Sequence, residues 1–243
     1  MSRTQDVVED VQRLILDGGL RPGDRLPAEK ELASELGVSR GSLREGVRAL
    51  VVLGILEARH GDGTYVTDLD PATLLAPVAF LADLPGNHAP LHAVRATLET
   101  EAAGLAAMHL TDGHVARARA ALDDMSRALV APRAEPSRLA AADLAFHRAV
   151  ADASGNPVLA ALLDVLAGEG PRRRVWDEMY DLAGDRTFEE HDAILAAITA
   201  RDPDRARLRM AMHMVGVEDL LATTSTDGPL PRRRNLVEAT PAR

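Results

Sequence analysis

The sequence predicts a mainly α-helical protein in two parts, a small N-terminal unit ending in a hairpin and a larger antiparallel helical bundle. Three observations carry this. Aromatic residues make up 2% of the chain against 46% hydrophobic, so the core is built from Ala, Leu and Val, which suits packed helices better than sheets. Apolar residues recur at helical spacing from Thr4 to Asp17, around Leu43, Val47 and Leu50, and again from Pro71 to about Leu221. Between these stretches, Leu53 to Val66 reads as two short strands joined at a Gly-rich tip, with Gly61 and Gly63 suited to a tight turn.

Bulk properties narrow the function. A chain of 243 residues holds one large or two modest domains. Its formal charge of -9 excludes an indiscriminate polycationic coating of nucleic acid, so any DNA contact must be focused on a few residues. Without cysteine there is no disulfide framework, thiolate nucleophile or Cys-ligated zinc. No apolar run follows the N-terminal arginine and none has the length of a membrane span, so the expectation is a cytoplasmic protein without a membrane partner.

In the N-terminal unit, the first helix carries Val7, Val8, Val11, Leu14 and Ile15 on one stripe. Gly18-Gly19 ends it, Pro22-Gly23 turns the chain, and Pro27 suits the first turn of a second helix that closes at Gly37. The third runs from Ser39 to Leu50. Arg40, Arg44 and Arg48 recur every fourth residue there and stack along one side, while Leu43, Val47 and Leu50 face inward. A helix, a tight turn, a second helix and a hairpin make a winged helix-turn-helix, and guanidinium forks in register suit phosphates and base edges. A plain solvated face is the other reading of such a stripe.

Thr67-Asp68-Leu69-Asp70-Pro71 marks the domain boundary, dividing the chain into 1–67, 68–222 and a Pro-rich, aperiodic tail at 223–243 expected to be disordered. Within the second part the spacing predicts about seven helices, near 71–84, 88–110, 112–130, 136–154, 157–180, 186–200 and 202–221. Asn156 before Pro157 is a helix start with a mechanism, a side-chain cap followed by a proline at the first position. Four residues carry chemistry. Asp143 and His147 lie one helical turn apart, and His191 and His213 sit in later helices. One carboxylate and three imidazoles can hold a divalent transition metal; equally, a histidine on an Ala/Leu-rich face can be an ordinary hydrogen-bonded core residue. Arg95 precedes Glu99 by four residues, which is an intrahelical ion pair or a charge for a ligand. Arg148 and the Arg172-Arg173-Arg174 run read as surface or interface arginines, with at most one reaching a pocket; Arg232-Arg233-Arg234 belong to the tail, as a solubilising end or a non-specific DNA contact; Trp176 and Tyr180 read as packing residues.

Several motifs resemble one family. The segment from Gly18 to Glu29, the segment S-R-G-S-L-R-E-G-V-R-A-L from Ser39 to Leu50, and the wing G-D-G-T-Y-V from Gly61 to Val66 are similar to the DNA-binding domain of the GntR family of bacterial transcription regulators. The helical part resembles the FCD ligand-binding domain of the FadR subfamily, in V-R-A-T-L-E-T-E-A-A from Val94, D-L-A-F-H from Asp143, S-G-N-P from Ser154 and H-D-A-I-L-A-A-I from His191. The resemblance implies DNA contacts from Lys30, Ser39, Arg40, Ser42, Arg44, Arg48, His60, Gly61 and Gly63. It implies a metal, zinc foremost with nickel or manganese as substitutes, on Asp143, His147, His191 and His213, and an effector carboxylate met by Arg95, with Arg148 as a further candidate. Two positions depart from the pattern: Gly46 stands where the family usually has Ala, inside the third helix, and Ala28 stands where a capping Ser is common.

The expected function is that of a metabolite-responsive transcriptional regulator, not an enzyme. It binds a pseudo-palindromic operator as a homodimer, represses, and answers to a small carboxylate or hydroxy acid held at the metal. A metal-dependent enzyme acting on a small acid and an architectural DNA protein without an effector are the rivals.

Overall fold

The computed structural model describes residues 3–79, 84, 87–131, 136–167 and 169–224, with side chains except those of 76, 79, 88, 169–183 and 221–224. It is mainly helical. The N-terminal unit holds α1 (Arg3–Leu16), α2 (Glu29–Glu35), α3 (Arg40–Val52), β1 (Leu56–Arg59) and β2 (Gly63–Val66). Val7 and Val11 of α1, Leu32 of α2, Leu43 and Leu50 of α3 and Leu56 and Val66 of the hairpin share one buried cluster.

Ser39 starts α3 as its N-cap, its Oγ accepting from the Ser42 amide at 3.1 Å. The hairpin pairs Arg59 with Gly63 at its tip, and Gly61 holds the turn at φ 73. A third strip joins it: Arg25 bridges to Tyr65, and the Leu26 amide donates to the Thr64 carbonyl at 2.8 Å. That strip moves the start of α2. Pro27, expected in its first turn, lies ahead of it, because Leu26 is buried and tied to the wing and the residue before a proline stays extended. Ala28 is the N-cap, without a side-chain hydrogen bond.

Beyond the hairpin, α4 (Pro71–Leu75) continues as a 3-10 turn over Ala76–Ala79, in place of the one helix expected over 71–84; 80–83 lie outside the described residues. Pro77 explains the change, since it lacks the amide an α-helix needs and crowds the Thr73 carbonyl. Among the described residues six further helices form the bundle: α5 (His88–His109), α6 (Asp112–Leu129), α7 (Pro136–Ala153), α8 (Pro157–Ala167), α9 (Glu169–Thr199) and α10 (Pro203–Thr224). Asn156 caps α8, its Oδ1 accepting from the Leu159 amide at 3.1 Å. The break expected near 181–185 falls instead between α8 and α9. Helix α9 runs straight through Gly184 because it packs there on α6, where a Cβ would meet Leu129 Cδ2 at 2.4 Å. The bundle core mixes alanines such as Ala103, Ala107, Ala121 and Ala149 with Phe146, Ile194, Ile198 and Met210, so the helices approach closely. The tail from 225 and the side chains of Arg172-Arg173-Arg174, Trp176 and Tyr180 lie outside the described residues.

Gly46 has a structural reason. A Cβ there would stand 2.4 Å from Val7 Cγ1 and 2.7 Å from Val7 Cβ, so α1 lies directly on α3 at this point. The intrinsic helix cost of a glycine, about 1 kcal/mol against Ala, is offset by this contact. Gly46→Ala should therefore destabilise the N-terminal unit by about 1–3 kcal/mol through overpacking. Urea denaturation followed by circular dichroism checks this; an equal or raised midpoint would show that α1 moves aside freely.

Candidate metal centre and DNA-facing surface

Helices α7, α9 and α10 each send one imidazole to the same point in the bundle. His147, His191 and His213 are all buried, and one ring nitrogen of each lies within 4.8 Å of the others. His191 Nε2 is 3.2 Å from His213 Nε2, and Asp143 Oδ1 is 3.7 Å from both His147 Nε2 and His191 Nε2. The structure thus brings the four expected residues together: spacing of four places Asp143 and His147 on one face of α7, packing of α9 on α7 adds His191, and packing of α10 on α9 and α5 adds His213. Phe146 stacks on His191 at 4.2 Å and 11° between ring planes, fixing that ring's plane.

A carboxylate stands behind two of the rings. His213 Nδ1 lies 2.8 Å from Glu190 Oε2, and His147 Nδ1 abuts Glu99 Oε2. Glu99 is 3% exposed and also accepts from Arg95 Nη2 at 2.7 Å, so Arg95 makes its intrahelical ion pair one layer behind the histidines. Burial pushes the Glu190 carboxyl up, but the His213 and Arg186 hydrogen bonds and charges together hold it below its ordinary value. Both glutamates escape sequence reading as site residues; the one available signal is that each follows an arginine by four residues. His92, one turn before Arg95, is also buried. Its Nε2–H donates to the Met214 carbonyl at 2.9 Å, and its Nδ1 has no hydrogen-bond partner among the described residues.

Arg148 points away from the three imidazoles and pairs with Asp164 of α8. It lines a groove of about 350 Å³ between α7 and α8, which His147 and Glu99 floor from the bundle and Asp70 and Ala72 wall from the connector. The same connector reaches the N-terminal unit: a Cβ on Gly54, in the turn after α3, would meet Thr73 Cγ2 at 2.8 Å.

On the N-terminal unit, a second groove of about 700 Å³ runs between α2, α3 and the wing, lined by Arg25, Glu29, Arg44, Arg48, Gly63 and Thr64 among others. Arg44 sits in it with its fork taken, Nε 2.9 Å and Nη2 2.8 Å from Glu29 Oε2. Its hydrogen bond holds the Glu29 carboxyl below the ordinary range. Arg40 is more distant, 3.9 Å from the same carboxylate, and Arg48 pairs with Glu45 at 2.9 Å. Lys30 and His60 are exposed, Gly61 forms the wing turn, and Ser39 and Ser42 bond each other at the start of α3, 2.9 Å between their Oγ atoms. Arg25 joins this surface without having been anticipated, because its neighbour is the wing: its Nε would lie 2.6 Å from a Cβ on Gly63.

The chain is similar to known regulators over most of its length. The profile of the FCD domain matches residues 91–216, and that of the bacterial regulatory proteins of the gntR family matches residues 3–66. It is 33% identical to the HTH-type transcriptional regulator LutR of Bacillus subtilis over 215 residues, 86% of this chain and 96% of that protein. A putative L-lactate dehydrogenase operon regulatory protein of Escherichia coli is 31% identical over 220 residues, covering 87% and 83%. Among solved structures, a GntR protein of Streptococcus agalactiae superposes with a TM-score of 0.64 at 28% identity, covering 89% of this chain and 99% of that one.

The environment of His92 sets a pH dependence. Burial pushes its imidazole below the ordinary histidine value, with Arg95 adding to the shift and the Met214 carbonyl, Glu218 and Glu99 opposing it. The unfolded chain takes up a proton near pH ~6.5 while the folded chain does not. The stability this group contributes is present above that pH and is lost as pH falls towards the folded value, by up to about 1.4 kcal/mol per pH unit. Denaturation midpoints measured across the range from neutral to mildly acidic should fall less steeply for His92→Leu than for the unaltered chain; parallel curves would remove His92 from the account.

Proposed function

Because this chain belongs to the GntR family of bacterial regulatory proteins and carries the FCD domain, we infer that it is a metabolite-responsive transcriptional regulator of the FadR type, acting on operator DNA through α3 and the wing and answering to a small acid in the bundle. The family is one of regulators and not of enzymes. The observation that carries the effector half is the buried cluster of three histidines on separate helices.

The donor set fits a divalent cation. Two imidazole nitrogens bound tetrahedrally at a zinc-like distance stand about 3.3 Å apart, against 3.2 Å between His191 and His213 here. Asp143, with an oxygen 3.7 Å from two of the rings, completes the set with a small adjustment. Such an ion supplies positive charge and open positions for a carboxylate or hydroxyl oxygen; zinc, nickel and manganese all accept these donors. His147, His191, His213 and Asp143 would hold it, and Arg95, one layer behind, adds a guanidinium that an effector carboxylate can claim from Glu99. A lactate-operon regulator among the relatives supports a small hydroxy acid as effector.

Arg40, Arg44, Arg48, Lys30, Ser39, Ser42, His60, Gly61 and Gly63 form the DNA-facing set we assign to residues 1–67, to which Arg25 is added. Residues 68–222 then form the effector and dimerisation part. Leu208, Met212 and Val215 leave one exposed apolar face along α10, which suits a second copy and so two half-sites on a pseudo-palindrome. The route from effector to DNA runs from His147 and Glu99 across the groove to Asp70 and Ala72, and from Thr73 to Gly54 behind α3.

The test selects duplexes from a random pool with the full chain and measures affinity by fluorescence anisotropy, with and without a panel of small hydroxy acids and divalent cations. A hydroxy acid should shift operator affinity only when a cation is present, and His213→Ala should abolish that shift while keeping basal binding. Arg44→Ala should cost about 1–3 kcal/mol and relax one position of each half-site. A chain that enriches no sequence, or whose affinity no acid in the panel moves, would contradict the proposal.

A further inference from the structure

We propose that Glu190 and Glu99 are positioning residues for the metal centre, fixing His213 and His147 in the tautomer that presents Nε2 to the cation; the ligand role rests on the metal reading above. A carboxylate only accepts hydrogen bonds. The ring nitrogen that faces one is therefore the protonated nitrogen, and the lone pair is left on the opposite side. At His213 the nitrogen facing Glu190 is Nδ1, at 2.8 Å, while Nε2 faces His191 Nε2 at 3.2 Å. His147 has a carboxylate on each side: Nδ1 abuts Glu99, while Nε2 stands 3.7 Å from Asp143, beyond hydrogen-bond distance, so Glu99 is the acceptor that sets its tautomer. In both cases the lone pair points at the centre. With His213 as acceptor, the ring of His191 is the donor across the 3.2 Å contact until a cation stands between them.

Each carboxylate is itself held. Arg186 Nε donates to Glu190 Oε1 at 2.7 Å, as Arg95 Nη2 donates to Glu99 Oε1 at 2.7 Å, so two Arg–Glu–His relays converge on the centre from different helices. The Glu190 relay crosses from α9 to α10. It needs Gly216, one turn past His213, where a Cβ would lie 2.2 Å from Arg186 Nη2. At His191 the stacked ring of Phe146 sets the plane of the imidazole. Charge on the carboxylate also makes the imidazole a better donor to a cation.

The experiment uses the full chain with Glu190→Ala, Glu190→Gln and Gly216→Ala, and reads two quantities. One is zinc affinity, measured by competition with a chromophoric chelator. The other is the tautomer of His213 in the metal-free protein, read from its imidazole nitrogen shifts at mildly alkaline pH. Glu190→Ala should weaken zinc about 10–100-fold and lose the Nδ1–H preference. Glu190→Gln keeps an acceptor oxygen, so it should retain the tautomer and lose a smaller part of the affinity; Gly216→Ala, which displaces Arg186, should also weaken zinc. Equal thermal midpoints before zinc is added identify variants that fold. An unaltered zinc affinity in Glu190→Ala, with His213 still protonated on Nδ1, overturns the positioning role. An unaltered chain that fails to compete with the chelator overturns the metal reading instead, and the tautomer of the metal-free protein still decides whether Glu190 orients the ring.

Discussion

Three imidazoles buried at one point set the terms for the helical part of this protein. Polar rings in an alanine-rich interior are costly unless each is hydrogen-bonded or coordinated. The bundle meets that demand by packing α7, α9 and α10 so closely that their rings reach one another, with Asp143 inside the group and Glu99 and Glu190 behind it. The alanines that give the sequence its unusual composition thus have a local purpose: short side chains bring the backbones near enough for histidine, a side chain of modest reach, to converge from three directions.

Placing the centre between helices, rather than on one, also places it where helix movement is felt. His147 and Glu99 lie on the floor of the groove whose far wall is the connector, and the connector touches the turn behind α3 through Thr73 and Gly54. A change of charge at the histidines is therefore separated from α3 by this groove and by the contact of Thr73 with Gly54.

Much of this was legible in the sequence because it is local. Helical periodicity located α1, α3 and most of the bundle, and the spacing of Asp143 and His147 put them on one face. What escaped depends on neighbours distant in the chain. Gly46 reads as a defect until α1 is laid against it, and Gly184 reads as a break until Leu129 is seen over it. Glu99 pairs with a histidine 48 residues away and Glu190 with one 23 residues away, so neither carries a signal beyond the arginine one turn before it. Arg25 is hidden for the same reason, its place being fixed by the wing and not by its own segment. Pro77 and Pro27 were visible, yet their effects on helix length required knowing which backbone groups were already committed.

The fork of Arg44 is occupied by Glu29 before any DNA arrives. Glu29 is then a counterion carried by the protein itself, present at an effective concentration fixed by geometry and not lowered by dilution. Any phosphate that meets α3 must displace it, and only a site that engages the neighbouring arginines at the same time repays that exchange. In a chain with a formal charge of -9, this tethered competitor extends the same economy to the few cations the protein does expose: under the DNA-facing role proposed for Arg44, it would discourage chance encounters with a polyanion at that residue.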